Sequence, residues 1–161
     1  MKFGVGIAIA LLVAGTAAAA PAPKLDMLGF FTGKTHAENV MRIALKKPSK
    51  LVVDSFGGKG DRGDFVLMDT VREEGKPVRT RKWVMKLVGP GHYTGALSDA
   101  VGPVDVRVEG STATIRYTMK GGLHVTQQLE MQDARTLSNR VNVRKFGLKF
   151  ASVEGTIRKV D

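Results

Sequence analysis

From residue 37 onward, this chain alternates apolar and polar side chains with a period close to two. A helix gathers residues three and four apart on one face, whereas a strand sends successive side chains to opposite faces. The stretch "TATIRYTMK" puts Ala113, Ile115, Tyr117 and Met119 on one side and Thr112, Thr114, Arg116 and Thr118 on the other. "LHVTQQLEM" sets Leu123, Val125, Leu129 and Met131 against His124, Thr126, Gln128 and Glu130, and "PVDVRVEG" sets Val104, Val106 and Val108 against Asp105, Arg107 and Glu109. The runs are separated by Glu74-Gly75-Lys76, Gly89-Pro90-Gly91, Glu109-Gly110-Ser111, Gly121-Gly122 and Gln132-Asp133-Ala134. Such residues supply the backbone conformations of tight hairpins. Strands are expected near 38–46, 50–56, 64–73, 78–88, 92–98, 103–109, 112–120, 123–131, 136–144 and 149–159. No segment reads convincingly as a helix. The pattern predicts an all-β, antiparallel up-and-down barrel of about 8–10 strands, since closure removes exposed sheet edges. Residues 35–47, "THAENVMRIALKK", could form a short helix, but Met41, Ile43 and Leu45 alternate and Pro48 stops the run. A strand is the expectation there.

The chain opens "MKFGVGIAIALLVAGTAAAAPAPK", with no charge between Lys2 and Lys24. Its apolar run, Val5 to Val13, falls short of the ~20 residues that cross a bilayer. A basic start, a short apolar core and small residues at Ala17-Ala18-Ala19 predict a cleaved secretory signal peptide over residues 1–19, with a retained membrane anchor as the alternative. A leader over 20–34 and a single β-barrel domain over 35–161 follow. With no cysteine, disulfides, thiolate metal sites and an N-terminal lipid-modified cysteine are excluded. No Arg-Arg pair marks twin-arginine export, and the expected location is periplasmic. The formal charge is +10, or +9 without Lys2. In an exported protein that charge suits an anionic membrane surface, lipopolysaccharide phosphates or an acidic ligand, and no nucleic acid is expected. A generally solvated basic surface would account for it equally.

"VVDSFGGKGDRGDFVLM" contains a G-x-G-x-x-G match at Gly58, Gly60 and Gly63, and Arg-Gly-Asp at residues 62–64. A dinucleotide cradle needs a helix after the glycines, so that aligned amides meet the pyrophosphate. Here a strand-forming run follows, and both matches read as a hairpin turn. His36, His92 and His124 are dispersed, without the convergent partners a metal requires. Asp69, Glu73, Glu74, Asp99 and Asp105 read as turn or outer-face carboxylates. No nucleophile elbow occurs. Neither a catalytic set, a metal site nor a cofactor is predicted, and the chain reads as a non-enzyme.

The stretch "PVRTRKWVMKLVGPGHYTG" says more. Alternation places Arg79, Arg81, Trp83, Met85 and Leu87 on the core side, so two arginines point inward near one end of a strand. There they could grip the anionic head of an amphipathic ligand. The competing reading has them reach solvent at the rim or pair with an acid such as Asp99.

"GHYTGALSDAVGPV", "YTMKGGL" and "LSNRVNVRKFGLKFASVEGTIRK" carry a resemblance across nearly the whole mature chain. The positions are Phe30, Phe31, Gly33, Gly75, Trp83, Tyr93, Thr94, Gly95, Asp99, Val101, Gly102, Asn139, Arg140, Lys145, Phe146 and Gly147. In them the chain resembles a family of bacterial envelope proteins known as a domain of unknown function. The resemblance implies a lipocalin-like β-barrel and brings no catalytic residues. The chain departs from the common pattern at Met68, where many members are acidic, and at Thr126 to Gln128, where an Asp-Asp-Trp run is usual.

The expectation is a barrel that binds or carries a hydrophobic or amphipathic molecule, such as a lipid or fatty acyl compound. Arg79, Arg81, Trp83, Met85, Tyr93, Ile115, Tyr117, Met119 and Leu129 are the candidate ligand-binding residues. A barrel filled by its own side chains would instead be an envelope structural or interaction module using its basic exterior. An enzyme acting in the barrel mouth is the third reading.

Overall fold

The computed structural model describes residues 23–160, so the expected signal peptide over 1–19 lies outside the described residues. A five-residue helix, α1 (Met27–Phe31), precedes ten strands. These are β1 (Gly33–Ile43), β2 (Ser49–Lys59), β3 (Phe65–Glu73), β4 (Arg79–Gly89), β5 (His92–Leu97), β6 (Ala100–Glu109), β7 (Thr112–Met119), β8 (Leu123–Asp133), β9 (Thr136–Lys145) and β10 (Leu148–Val160). Each strand pairs antiparallel with its sequence neighbours, and β1 closes the sheet on β10 from Lys34↔Val160 to Ile43↔Ala151. All ten expected strands form, and the ambiguous segment contributes most of β1. The expected all-β, up-and-down lipocalin-like barrel is the fold.

The alternation turns into an inside and an outside. Val104 and Val106 of β6, Ala113, Ile115 and Tyr117 of β7, Val125 and Leu129 of β8 and Leu137 of β9 are buried within the barrel. The Gly58, Gly60 and Gly63 match runs from the end of β2, where Gly58 pairs with Val66, into the turn before β3, held by Gly60 N–H donating to Asp64 O at 2.8 Å. No helix follows it, as the composition of the next segment requires.

Alternation gave no hint of α1. Asp26 is its N-cap, with Oδ1 accepting from Gly29 N–H at 3.0 Å. An acidic cap before "MLGFF" is the local signal for it. Lys159 Nζ closes the other end by donating to the carbonyls of Gly29, Phe30 and Thr32 at 3.1, 3.1 and 2.6 Å. Phe30 and Phe31 are buried, and their rings meet edge-on at 5.1 Å. The helix sits tightly because Gly57 has no side chain: a Cβ there would lie 2.1 Å from Phe31 O and 2.7 Å from the Phe65 ring. Hairpin parity then defines two ends. The end covered by α1 carries the β2–β3, β4–β5, β6–β7 and β8–β9 turns. The opposite end carries the β1–β2, β3–β4, β5–β6, β7–β8 and β9–β10 turns.

On the outer surface, neighbouring strands are joined by a charged row. His36 Nδ1 lies 2.7 Å from Asp54 Oδ1, and Arg72 donates to Asp54 Oδ2. The hydrogen bond from His36, with Arg72 adding to it, holds the Asp54 carboxyl below the usual carboxylate range against the opposing effect of burial. A carboxylate depressed on folding stabilises the native state above its unfolded pKa, ~3.9, and loses that contribution as pH falls through the folded value. Asp54→Asn should therefore lower the melting temperature at pH 7. The gap to the wild type should close below about pH 4, as followed by circular dichroism melts across pH.

Candidate functional site

One row of the sheet gathers a polar group at mid-height. Ser55 of β2 pairs in register with Asp69 of β3, and Asp69 with Arg81 of β4. Because partners share a face, all three side chains project into the lumen. Asp69 accepts from Ser55 Oγ at 2.7 Å, Arg81 Nη2 at 2.9 Å and Trp83 Nε1 at 2.9 Å. Its side chain is 4% exposed and that of Arg81 19%. Three donors, two of them nitrogen, make burial of the carboxylate tolerable. The Arg81 guanidinium also lies 5.7 Å from the centre of the Trp83 ring. Its Nε is buried without a protein acceptor.

A second polar row runs along the far wall. Asn39 of β1, Gly155 of β10 and Asn139 of β9 share one register. Asn139 Nδ2 donates across Gly155 to Asn39 Oδ1 at 2.9 Å, and Gln127 Nε2 of β8 donates to Asn139 Oδ1 at 2.7 Å. Only glycine permits this, since a Cβ on residue 155 would lie 2.5 Å from Asn39 Oδ1 and 2.1 Å from Glu38 O.

Between these rows and α1 lies a cavity of about 100 Å³. Phe65, Leu67, Val106, Ile115, Leu129 and Ile157 are among its apolar walls, and Asp69, Arg81, Asn39, Asn139 and Gln127 are its polar members. Met27, Leu28 and Phe31 of α1 line it as well. On the other side of the polar rows Val71, Leu97, Tyr117 and Val125 are buried.

Arg81, Trp83, Met85, Tyr93, Ile115 and Leu129 all line the cavity, as their alternation places them. Arg79, Tyr117 and Met119 do not. Arg79 begins β4 at the rim, where its guanidinium donates to Asp99 Oδ2 at 2.6 Å, the rim pairing weighed as the alternative. Tyr117 packs edge-on against Trp83 with ring centres 5.6 Å apart, and burial pushes its phenol above the ordinary tyrosine range. Met119, at the end of β7, is partly buried against the core. Leu87, expected on the core side, is exposed near the end of β4.

Asp69 corrects the sequence reading most. Expected among the turn and outer-face carboxylates, it sits in the middle of β3 facing inward. Its parity with Phe65 and Val71, both buried, was the available signal. Gln127, Asn39 and Asn139 were missed because polar residues do not register in a search for apolar alternation. Outside the lumen, His36 and His92 lie 2.7 Å from Asp54 and Asp105 respectively, and His124 Nδ1 lies 3.2 Å from Thr118 Oγ1. Among the described residues, no group of three or more His, Cys, Asp or Glu is gathered closely enough to hold a metal.

Residues 13–159 match the family described as "Protein of unknown function (DUF3833)", and the chain belongs to that family. No curated protein matches it. Among solved structures it is similar to a protein of unknown function from the DUF3598 family of Nostoc punctiforme, with a TM-score of 0.65 and 14% identity. That likeness covers 89% of this chain and 53% of the other, so the chain spans about half of that protein. The S-type phycobiliprotein lyase CPES of Guillardia theta aligns with a TM-score of 0.67 at 5% identity, over 83% of this chain and 90% of the lyase. Rv2717c of M. tuberculosis aligns with a TM-score of 0.60 at 12% identity, over 88% and 100%. At these identities the likeness is one of fold.

The polar rows make a stability prediction. Asp69→Ala strands Arg81 and the Trp83 indole N–H inside the barrel, and should cost about 3 kcal/mol, the lower end for a broken buried pair, because Arg81 keeps some solvent contact. Ser55→Ala leaves Asp69 two donors and should cost roughly 1 kcal/mol. Urea unfolding followed by circular dichroism reads both.

Proposed function

We propose that this DUF3833 member is a non-enzymatic binding or carrier protein for a small amphipathic molecule, with an acyl or similar apolar body, held in the barrel beneath α1. The observation that carries the reading is Arg81 Nε, a buried donor without a protein acceptor in the lining of an otherwise mostly apolar cavity. A buried donor left unmatched costs about 1–3 kcal/mol, so an acceptor brought by a ligand recovers that free energy. The positive charge of Arg81 is already balanced by Asp69 at 2.9 Å. A carbonyl, ester or hydroxyl oxygen therefore satisfies the site as well as a free carboxylate does. Apolar walls at Phe65, Leu67, Ile115 and Leu129 take the hydrocarbon. The signal-like sequence at the N-terminus supports a periplasmic setting for this activity.

Volume sets how the ligand enters. A cavity of about 100 Å³ is smaller than the ~150 Å³ that admits benzene. A whole acyl chain fits only when Met27, Leu28 and Phe31 leave the lumen, which makes α1 the cover of the site. In the cavity lining Asp69, Asn39, Asn139 and Gln127 are bonded to neighbouring side chains, which leaves Arg81 Nε as the lining side-chain atom buried without an acceptor.

Trp83 is the one tryptophan of the chain and lines the cavity, so its fluorescence reports occupancy. Titration with fatty acids and fatty alcohols of increasing length should give a saturable change in emission. Arg81→Lys keeps the charge opposite Asp69 and removes the Nε donor, and should weaken binding about tenfold, the equivalent of one hydrogen bond. Met27→Ala with Leu28→Ala should tighten binding of the longer chains. Native mass spectrometry of protein from its own envelope identifies the cargo. A Trp83 signal indifferent to the whole series, together with ligand-free protein from the envelope, would sink the carrier reading.

A further inference from the structure

We infer that the β1–β2 and β9–β10 hairpin tips form a docking edge that inserts into a phospholipid bilayer bearing anionic headgroups. The two strands flanking β10 bring these hairpins together: β10 pairs with β1 on one side and with β9 on the other, and Ala44 N–H donates to Phe150 O at 3.2 Å. The edge lies at the end of the barrel away from α1. This inference is independent of any ligand in the lumen.

The apolar side chains here are unusually exposed. Leu45 is 107% exposed, Phe146 90%, Leu148 74% and Phe150 40%. Phe150 projects at the register shift between Lys149 and Ala151, where one extra residue interrupts the pairing with β9. Single exposed apolar residues need no explanation, but four on adjoining tips mark a contact surface.

Backbone conformation supports the same conclusion. Leu45 (φ 64°) and Phe146 (φ 51°) are the two non-glycine residues with positive φ among those described. Phe146 and Gly147 (φ 77°) form the two-residue link between Lys145 and Leu148, which pair in register. Two consecutive positive φ values are the geometry that favours Asn-Gly or Asp-Gly in a hairpin. A bulky residue there is unfavourable for the turn, and full exposure of its ring in water is unfavourable again. Neither local folding nor solubility selects phenylalanine at this tip, whereas a bilayer that takes up the ring does.

Charge identifies the partner. The segments 43–50, 119–124 and 143–150 carry Lys46, Lys47, Lys50, Lys120, Arg144, Lys145 and Lys149 and not one Asp or Glu. Lys145 Nζ lies 5.6 Å from the Phe146 ring centre, so a cation sits directly beside the inserting group. Glu73 and Asp99 belong to the β3–β4 and β5–β6 side of the same end. Glu74 instead borders the edge at Lys50, whose N–H donates to Glu74 Oε2 at 3.2 Å and whose Nζ lies 3.8 Å from Glu38 Oε1. Among the described residues, the cations of these segments without a carboxylate beside them are therefore those nearer the tips. The barrel would therefore tilt, pressing the β9–β10–β1 side onto the lipid. Each cation near an anionic surface contributes about fivefold to partitioning, and the apolar tips anchor what the charges attract. In this orientation α1 and the cavity face away from the bilayer, into the aqueous space.

The test uses the mature full-length chain and large vesicles of phosphatidylcholine with three-tenths phosphatidylglycerol, alongside pure phosphatidylcholine. Co-sedimentation should show binding to the anionic vesicles that weakens as salt rises, with little binding to the neutral ones. Phe146→Asn creates the favoured Asn-Gly turn. It should raise the melting temperature while lowering vesicle binding about tenfold, a split that a purely structural role for Phe146 would not produce. Leu45→Asn with Phe146→Asn should reduce binding further, and Leu87→Ser, at the opposite end, should bind as the wild type does. Binding unchanged by both tip substitutions, or absent from anionic vesicles, overturns the inference. So does a concentration-dependent dimer that the tip substitutions abolish, because a second copy would then be the partner of this edge.

Discussion

Closure of β1 on β10 is the constraint on which everything else rests. Ten antiparallel partners in a ring leave no strand with a free row of amides and carbonyls, so the backbone is satisfied by pairing alone. Closure also converts a two-residue alternation into an interior and an exterior. An open sheet with the same alternation would have an apolar face in search of a cover; the ring covers itself. Without cysteines, the chain depends on that pairing and on the side chains it encloses.

What the ring encloses is uneven. One half of the lumen is filled by Val71, Leu97, Tyr117 and Val125, and the other is left partly open beside α1. The boundary between them is polar. Asp69 with Ser55, Arg81 and Trp83 on one wall, and Asn39 with Asn139 and Gln127 on the other, are held by side-chain bonds between strands, the Asn39–Asn139 bond crossing β10 over Gly155. Buried polar groups are tolerable when matched, and the one mismatch in the cavity lining is Arg81 Nε. The cover is built with the same economy. Gly57 admits the Phe31 carbonyl, Lys159 caps the carbonyls of α1, and the apolar side of the helix completes the cavity.

The two ends of the barrel differ in a way that suits the two proposed tasks. At the α1 end, Met27, Leu28 and Phe31 turn inward over the cavity, while Phe56, Leu87 and Val88 are exposed. At the far end Leu45, Phe146, Leu148 and Phe150 are turned outward among lysines. One end is suited to enclosing a small molecule and the other to meeting a surface. The length of the strands keeps the two proposed functions apart, so that contact at the far end would leave the cover accessible from water.

Alternation of apolar residues, together with glycine-rich separators, set from sequence alone the expectation of an antiparallel up-and-down barrel of about 8–10 strands, and ten form. It also put Arg81, Trp83, Met85, Tyr93, Ile115 and Leu129 on the side that lines the cavity, because parity along a strand is a local property. Which polar residues share the lumen was decided only by tertiary structure. Asp69 meets Arg81 through the register between β3 and β4, and Asn39 meets Asn139, a hundred residues away, through a ring closure that no local pattern encodes. The same holds for Arg79, Tyr117 and Met119, since parity assigns a side but not a height along the barrel axis. Depth, cross-strand partnership and the clustering of hairpin tips all depend on how the ring closes, and closure joins residues that sequence distance keeps apart.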